Sequence, residues 1–153
     1  MTAAAAEIDT TAACVCGRLR RASRALTQLY DDLMAPCGLR VTQFSLLRTL
    51  ARTGTPVRIS ELAALTLIDR TALSRNLEPL VAQGWVEIAA GQDARTREVG
   101  LTRAGRAALA KATPLWQAAQ AEVARRLGAS RIDALVGLLA TVEELHPAPD
   151  AHR

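Results

Sequence analysis

In a chain otherwise rich in helix-forming Ala and Leu, residues 84–105 read GWVEIAAGQDARTREVGLTRAG, and this stretch restricts the fold more than any other. Gly91, Gln92 and Asp93 are turn formers. The runs WVEIAA and REVGL on either side have the pattern of two short antiparallel strands. Glu98 and Gly100 alternate with Val99 and Leu101, as in a strand wetted on one face. Thr102 then stands where a hydroxyl caps a helix by accepting a backbone N–H of the first turn. A charged hairpin projecting from a helical chain needs something for its tip to touch. Asp93 and Arg95 are two residues apart, a spacing expected to let the carboxylate clamp the guanidinium in an extended pose.

Helical patterns lie on both sides of the hairpin. From about residue 10 to 35, Leu19, Ala22, Leu26, Leu29 and Leu33 recur at spacings of three and four, a narrow seam like that of a coiled coil. Arg18, Arg20, Arg21 and Arg24 lie among them, and Pro36 and Gly38 stop the helix. Thr42 is the expected cap of a second helix, TQFSLLRTLAR, with Phe44, Leu47 and Leu50 inward, ended by Gly54 and Pro56. A two- or three-residue strand is expected over Val57 to Ile59. Ser60 then caps a third helix, ELAALTL, and Asp69 a fourth, RTALSRNLEPLVAQ, closed by Gly84. Beyond the hairpin runs a long helix from Thr102 to about Leu127. Gly128 interrupts it, and a last helix, capped by Ser130, spans Arg131 to about Leu145. The final PAPDAHR reads as a frayed tail.

This order predicts a mostly α fold, a winged helix-turn-helix. A three-helix core and a β-hairpin wing are flanked by long N- and C-terminal dimerisation helices. The 153 residues suffice for one domain. Within that single chain, 39–101 form the winged lobe, and 10–36 with 102–146 form the helical dimerisation region. Long flanking helices have little to pack on within one such module, and a second copy would supply it.

Composition limits the function classes. The net charge is +4, and of 19 basic residues only Lys111 is a lysine. Guanidinium forks suit phosphate and base-edge contacts. An Arg-favouring codon bias gives the same imbalance, so the charge permits nucleic acid without selecting it. No apolar run approaches the roughly 20 residues of a membrane span, and MTAAAAEIDTTAA lacks the basic start of a signal peptide, so a cytoplasmic protein is expected. Cys14, Cys16 and Cys37 are an odd set, with Cys14 and Cys16 too close for a metal knuckle. His146 and His152, the only histidines, lie in or beside the tail. No metal, no cofactor and no enzyme activity are expected from such a set.

The fourth helix carries the chemistry. Leu73, Leu77, Leu80 and Val81 share one face, which buries it. Thr71, Arg75 and Glu78 point roughly opposite, with Ser74 at the margin and Asn76 on the other flank. An arginine and short hydroxyls near a helix N-terminus suit a major groove, where Arg pairs with guanine and hydroxyls reach phosphate or base edges. Pro79 removes a donor and is expected to kink the later turns. The plainer reading is a solvated helix face. The hairpin tilts the choice, because a wing beside such a helix rides over the sugar-phosphate backbone and an arginine at its tip reaches a narrow minor groove. The expected DNA-binding set is Arg70, Thr71, Ser74, Arg75, Asp93, Arg95 and Arg97.

The run LIDRTALSRNLEPLVAQGWV, then Asp93-x-Arg95, then Leu101-Thr102 with Gly105, resembles the MarR family of bacterial transcription regulators over nearly the whole chain. That resemblance implies a homodimeric, sequence-specific binder of pseudo-palindromic double-stranded DNA. It would be a repressor released by a small phenolic or other lipophilic effector. Effectors of the family often bind between the dimer helices and the DNA-binding lobe, where Tyr30, Phe44 and Trp116 are the large side chains expected. Their plainer role is core packing. Some members sense organic hydroperoxides through a cysteine early in the first helix, held by partner tyrosines. Cys16 falls at that place and Tyr30 matches one tyrosine, but Val41 stands where the other belongs. Arg18 and Arg20 would favour a thiolate; a small packing role for Cys14 and Cys16 is the alternative. A helical adaptor whose winged module contacts protein is the reading from a different class.

Overall fold

The computed structural model describes residues 14–93 and 95–146. The N-terminal run and the Pro-rich tail, with His152 and the expected helix start near Thr10, lie outside the described residues.

Ten elements follow one another: helix α1 (Val15–Met34), a 3-10 turn (Ala35–Cys37), α2 (Val41–Thr53), strand β1 (Val57–Arg58), α3 (Ile59–Thr66), α4 (Arg70–Ala82), β2 (Val86–Ala90), β3 (Arg97–Leu101), α5 (Arg103–Leu127) and α6 (Ala129–Glu143). The antiparallel sheet has the order β1-β3-β2. Val86 pairs with Leu101 and Ala90 with Arg97 along the hairpin, and Val57 pairs with Val99 on the other edge of β3. This is the winged helix-turn-helix with long terminal helices that the pattern predicts.

Because β3 is the central strand, its expected wet face is only partly wet. Gly100 is buried, and a Cβ there would stand 3.1 Å from Pro56 Cγ, where the chain enters β1. Several caps also differ from expectation. Helix α2 starts one residue before Thr42, with Arg40 at the N-cap position; Gln43 Oε1 accepts the Arg40 N–H at 3.0 Å and Asp31 Oδ1 accepts that of Val41 at 2.7 Å. Arg58 precedes α3, so Ile59 and Ser60 are already helical, and Gly128 rather than Ser130 precedes α6. Asp31, ten residues before Val41, takes the place of Thr42 at the start of α2, while α3 and α6 begin without a side-chain cap. At Asp69 and Thr102 the caps form as expected. Asp69 Oδ1 accepts from the N–H groups of Thr71 (3.0 Å) and Ala72 (2.9 Å), and Thr102 Oγ1 from that of Gly105 (3.0 Å).

The core gathers Phe44, Leu46, Leu47 and Leu50 of α2, Leu62 of α3, Leu73, Leu77 and Leu80 of α4, and Val86, Val99 and Leu101 of the sheet. Val81, expected on that buried face, is 42% exposed, at the edge of the stripe. Tyr30 and Met34 of α1 and Ala112, Ala119 and Val123 of α5 extend the core towards the terminal helices. The α1 seam is not buried within one chain: Leu19, Leu26, Leu29 and Leu33 are half-buried and Ala22 is exposed. Helix α6 has no buried residue, and Val136 and Leu138 are 58% and 67% exposed.

Candidate nucleic-acid interface

The turn between α3 and α4 sets the attitude of α4. Leu67 closes α3 in the left-handed region (φ 53°), the sole non-glycine to do so among the described residues, and the Ile68 N–H bonds back to Ala63 O at 3.2 Å. That sharp reversal brings Asp69 to the start of α4, where its carboxylate takes two orphan N–H groups. Leu73, Leu77 and Leu80 seat the helix on the core, leaving Arg70, Thr71, Ser74, Arg75, Asn76 and Glu78 exposed. Pro79 lies inside α4 on its exposed side and removes the bond that would reach Arg75 O, one turn after the arginine.

The Leu-Thr-x-x-Gly junction ties the wing to this helix. Thr102 Oγ1 donates to Gly84 O at 2.6 Å, where α4 has just ended, and accepts from Gly105 at the start of α5. Gly105 is required by contact: a Cβ would stand 2.0 Å from the carbonyl oxygen of Trp85. One threonine and one glycine thus lock the end of α4, the start of β2 and the start of α5 together.

The hairpin tip is closed by backbone bonds. Gly91 N–H donates to Thr96 O at 2.9 Å and Thr96 N–H to Asp93 O at 2.8 Å. Asp93 does not clamp the Arg95 guanidinium; its Oδ1 accepts the Arg95 backbone N–H at 3.1 Å. The two-residue spacing makes a side-chain-capped turn, which presents Arg95 without neutralising it.

Helix α4 and the wing enclose a cleft of about 650 Å³ lined by Arg58, Arg70, Arg95 and Arg97, with Ser60, Ser74 and Thr96 between them and Glu78 among them. Arg70, Ser74 and Glu78, four apart, form the helical wall. On the other flank of α4, Arg75, Asn76 and Pro79 face Arg40, Thr42 and Gln43 at the start of α2. The expected residues therefore divide: Arg70, Ser74, Arg95 and Arg97 meet in the wing cleft, Arg75 lines the opposite flank, and Thr71 and Asp93 line neither. Arg58 and Ser60 were missed. Arg58 lies in β1, opposite Glu98 of β3 in register, and this long-range pairing, which local sequence does not show, brings it to the cleft. Among the described residues, ion pairs within 4.0 Å join only Glu122 to Arg125 and Arg126, so the cleft arginines are free of carboxylate partners.

A second concavity, about 560 Å³, lies between α1, α5 and α6. Leu19, Leu26, Tyr30, Trp116, Leu135 and Leu139 make most of its wall. Of the three aromatics expected there, Tyr30 and Trp116 line it, while Phe44 stands behind, stacked on Trp116 with ring centroids 5.4 Å apart. Arg48 covers the Trp116 ring at 4.4 Å. The Tyr30 hydroxyl donates to Gln120 Oε1, and burial pushes its pKa up. Cys16 is exposed in the first turn of α1, about four turns from Tyr30. Cys37 is half-buried, with its thiol 3.0 Å from Met34 O. Among the described residues no cluster of His, Cys, Asp and Glu is arranged to hold a metal ion, and no helix is long and apolar enough to cross a membrane.

Residues 38–96 match the profile of the MarR family. The M. tuberculosis transcriptional regulator MosR, solved in complex with DNA, is 43% identical, with 86% of this chain and 97% of that one covered and a TM-score of 0.75. A mutant of E. coli MarR complexed with operator DNA is 29% identical, covering 82% of this chain and 91% of the other at a TM-score of 0.73. The transcriptional repressor CouR, bound to a 23-mer DNA duplex, is 28% identical over 85% and 92% of the two chains, with a TM-score of 0.74. No curated protein gives a match.

Proposed function

The chain belongs to the MarR family of winged-helix transcriptional regulators, and on that footing we propose that it acts as a homodimeric repressor that binds a pseudo-palindromic DNA operator. The observation that carries this reading is the wing-side cleft, where Arg58, Arg70, Arg95 and Arg97 converge with no carboxylate of the described residues within pairing distance. Guanidinium groups held on a helix, an edge strand and a hairpin suit a sugar-phosphate backbone running between them. Helix α4 enters the major groove, with Thr71 and Arg75 towards base edges. Arg95, freed by the Asp93 turn, extends to the minor groove. Two copies, joined through α1, α5 and α6, address two half-sites one helical turn apart.

The apolar groove beside Trp116 is the place for a small lipophilic effector. It borders both the terminal helices and, through Phe44 and Arg48, the lobe that holds α4. Occupancy there would change how α2 rests on α5 and weaken the DNA-bound arrangement.

The test is duplex binding as salt is raised. The wild-type protein binds DNA from its own upstream region with an affinity that falls roughly a thousandfold between about 50 and 200 mM salt. Arg95→Ala binds at least about tenfold more weakly, one arginine-base contact being worth roughly 1–3 kcal/mol, with unchanged helicity. Equal affinity for wild type and variant would remove the wing from the mechanism. A salt-independent affinity would contradict the phosphate cleft.

A further inference from the structure

Among the described residues, Glu78 is the one acid lining the wing-side cleft, which it shares with Arg58, Arg70, Arg95 and Arg97, and no ion pair within 4.0 Å joins it to any of them. It stands on the same face of α4 as Arg70 and Ser74, two helical turns beyond Arg70, on a helix fixed by Leu73, Leu77 and Leu80. Its side chain lines the space assigned to the duplex.

We propose that Glu78 is a specificity-determining residue, one that weakens binding to DNA in general more than binding to the operator. This rests on the reading of the cleft as a DNA site. The four arginines attract any duplex, because phosphate contacts carry no base information. A carboxylate in the same cleft subtracts from that attraction at every sequence. An ionised carboxylate only accepts hydrogen bonds, and Glu78 stands on α4, at the border between the backbone cleft and the groove that helix enters, so the loss is offset only where a base at that border presents a donor. The exocyclic amine of cytosine is the donor that suits it. Glu78 thereby turns a sticky cationic cleft into one that favours a correctly placed base pair.

The experiment compares wild type with Glu78→Gln, an isosteric neutral change at an exposed helix position where the two residues have near-equal helix propensity. Each protein is titrated with the duplex footprinted upstream of its own coding sequence and with a scrambled duplex of the same composition. The expected result is a rise in affinity for the scrambled duplex of roughly two- to fivefold in the variant. Operator affinity rises less or falls, so the ratio of the two drops. Unchanged affinity for the scrambled duplex, with wild type still discriminating, would overturn the role of Glu78 alone, as would a loss confined to the operator. Failure of wild type to bind either duplex would overturn the DNA-site reading itself.

Discussion

The winged lobe and the terminal helices treat their apolar residues in opposite ways. In the lobe, Leu47, Leu62, Leu73, Leu77, Leu80 and Val99 are fully buried among α2, α3, α4 and the sheet. In α6, Leu135, Val136, Leu138 and Val142 remain exposed, and the α1 seam is half-covered at best. The lobe closes its own core; the terminal helices present theirs. Contiguous exposed apolar side chains of this kind mark interaction surfaces. The same difference divides the surfaces: the lobe carries the cationic cleft on its closed core, and the terminal helices present an open apolar face.

Paired substitutions in the two regions separate them most strongly. Leu77→Ala is expected to lower unfolding free energy by about 2–5 kcal/mol, by the same amount at any protein concentration in urea melts. Leu138→Glu changes the intrinsic stability of a chain by less than about 0.5 kcal/mol but moves the protein towards monomer in sedimentation. If Leu138→Glu left the oligomeric state unchanged, or Leu77→Ala were harmless, the contrast would collapse.

The seam between the regions comes next. Gly105→Ala forces a methyl against the Trp85 carbonyl, and is expected to cost about 1–3 kcal/mol. Thr102→Val, which removes the cap and the bond to Gly84, costs about 1 kcal/mol. Thermal melts check both, and a smaller effect for Gly105→Ala than for Thr102→Val would mean the junction is pliable.

The smallest effect lies near the end of α5. Hydrogen bonds from Arg125 and then Arg126 lower the Glu122 pKa from 4.5 to about 2. A depressed carboxylate contributes above its ordinary range and loses that contribution as pH falls from about 4.5 towards 2. Carboxyl titration by NMR should find Glu122 near 2 in the wild type and back near 4.5 in a variant lacking both arginines. For an ion pair open to solvent on the arginine side the effect on overall stability is small. An ordinary titration in the wild type would contradict the paired geometry.

Much of this architecture was legible because its signals are local. Asp69 and Thr102 cap helices through their own first turns, and the Gly91–Asp93 turn between two short apolar runs announces the hairpin. What the sequence concealed depends on contacts between distant segments. Thr42 and Ser60 look like caps, yet Asp31, ten residues before Val41, serves the start of α2, and β1 runs directly into α3. Gly100 looks wet until β1 lies against β3. Asp93 and Arg95 suggest an ion pair by spacing, but in a tight turn the nearer donor is the backbone N–H. Of the candidate site, the wing and α4 were readable, whereas Arg58 and Ser60 join the cleft only through the three-stranded sheet.

The pairing of two clefts is tested most directly by sedimentation of the protein with one duplex carrying the footprinted upstream site, at low ionic strength. Two chains per duplex, already associated before DNA is added, is the predicted result. A monomer that leaves the duplex sedimenting as free DNA would contradict it.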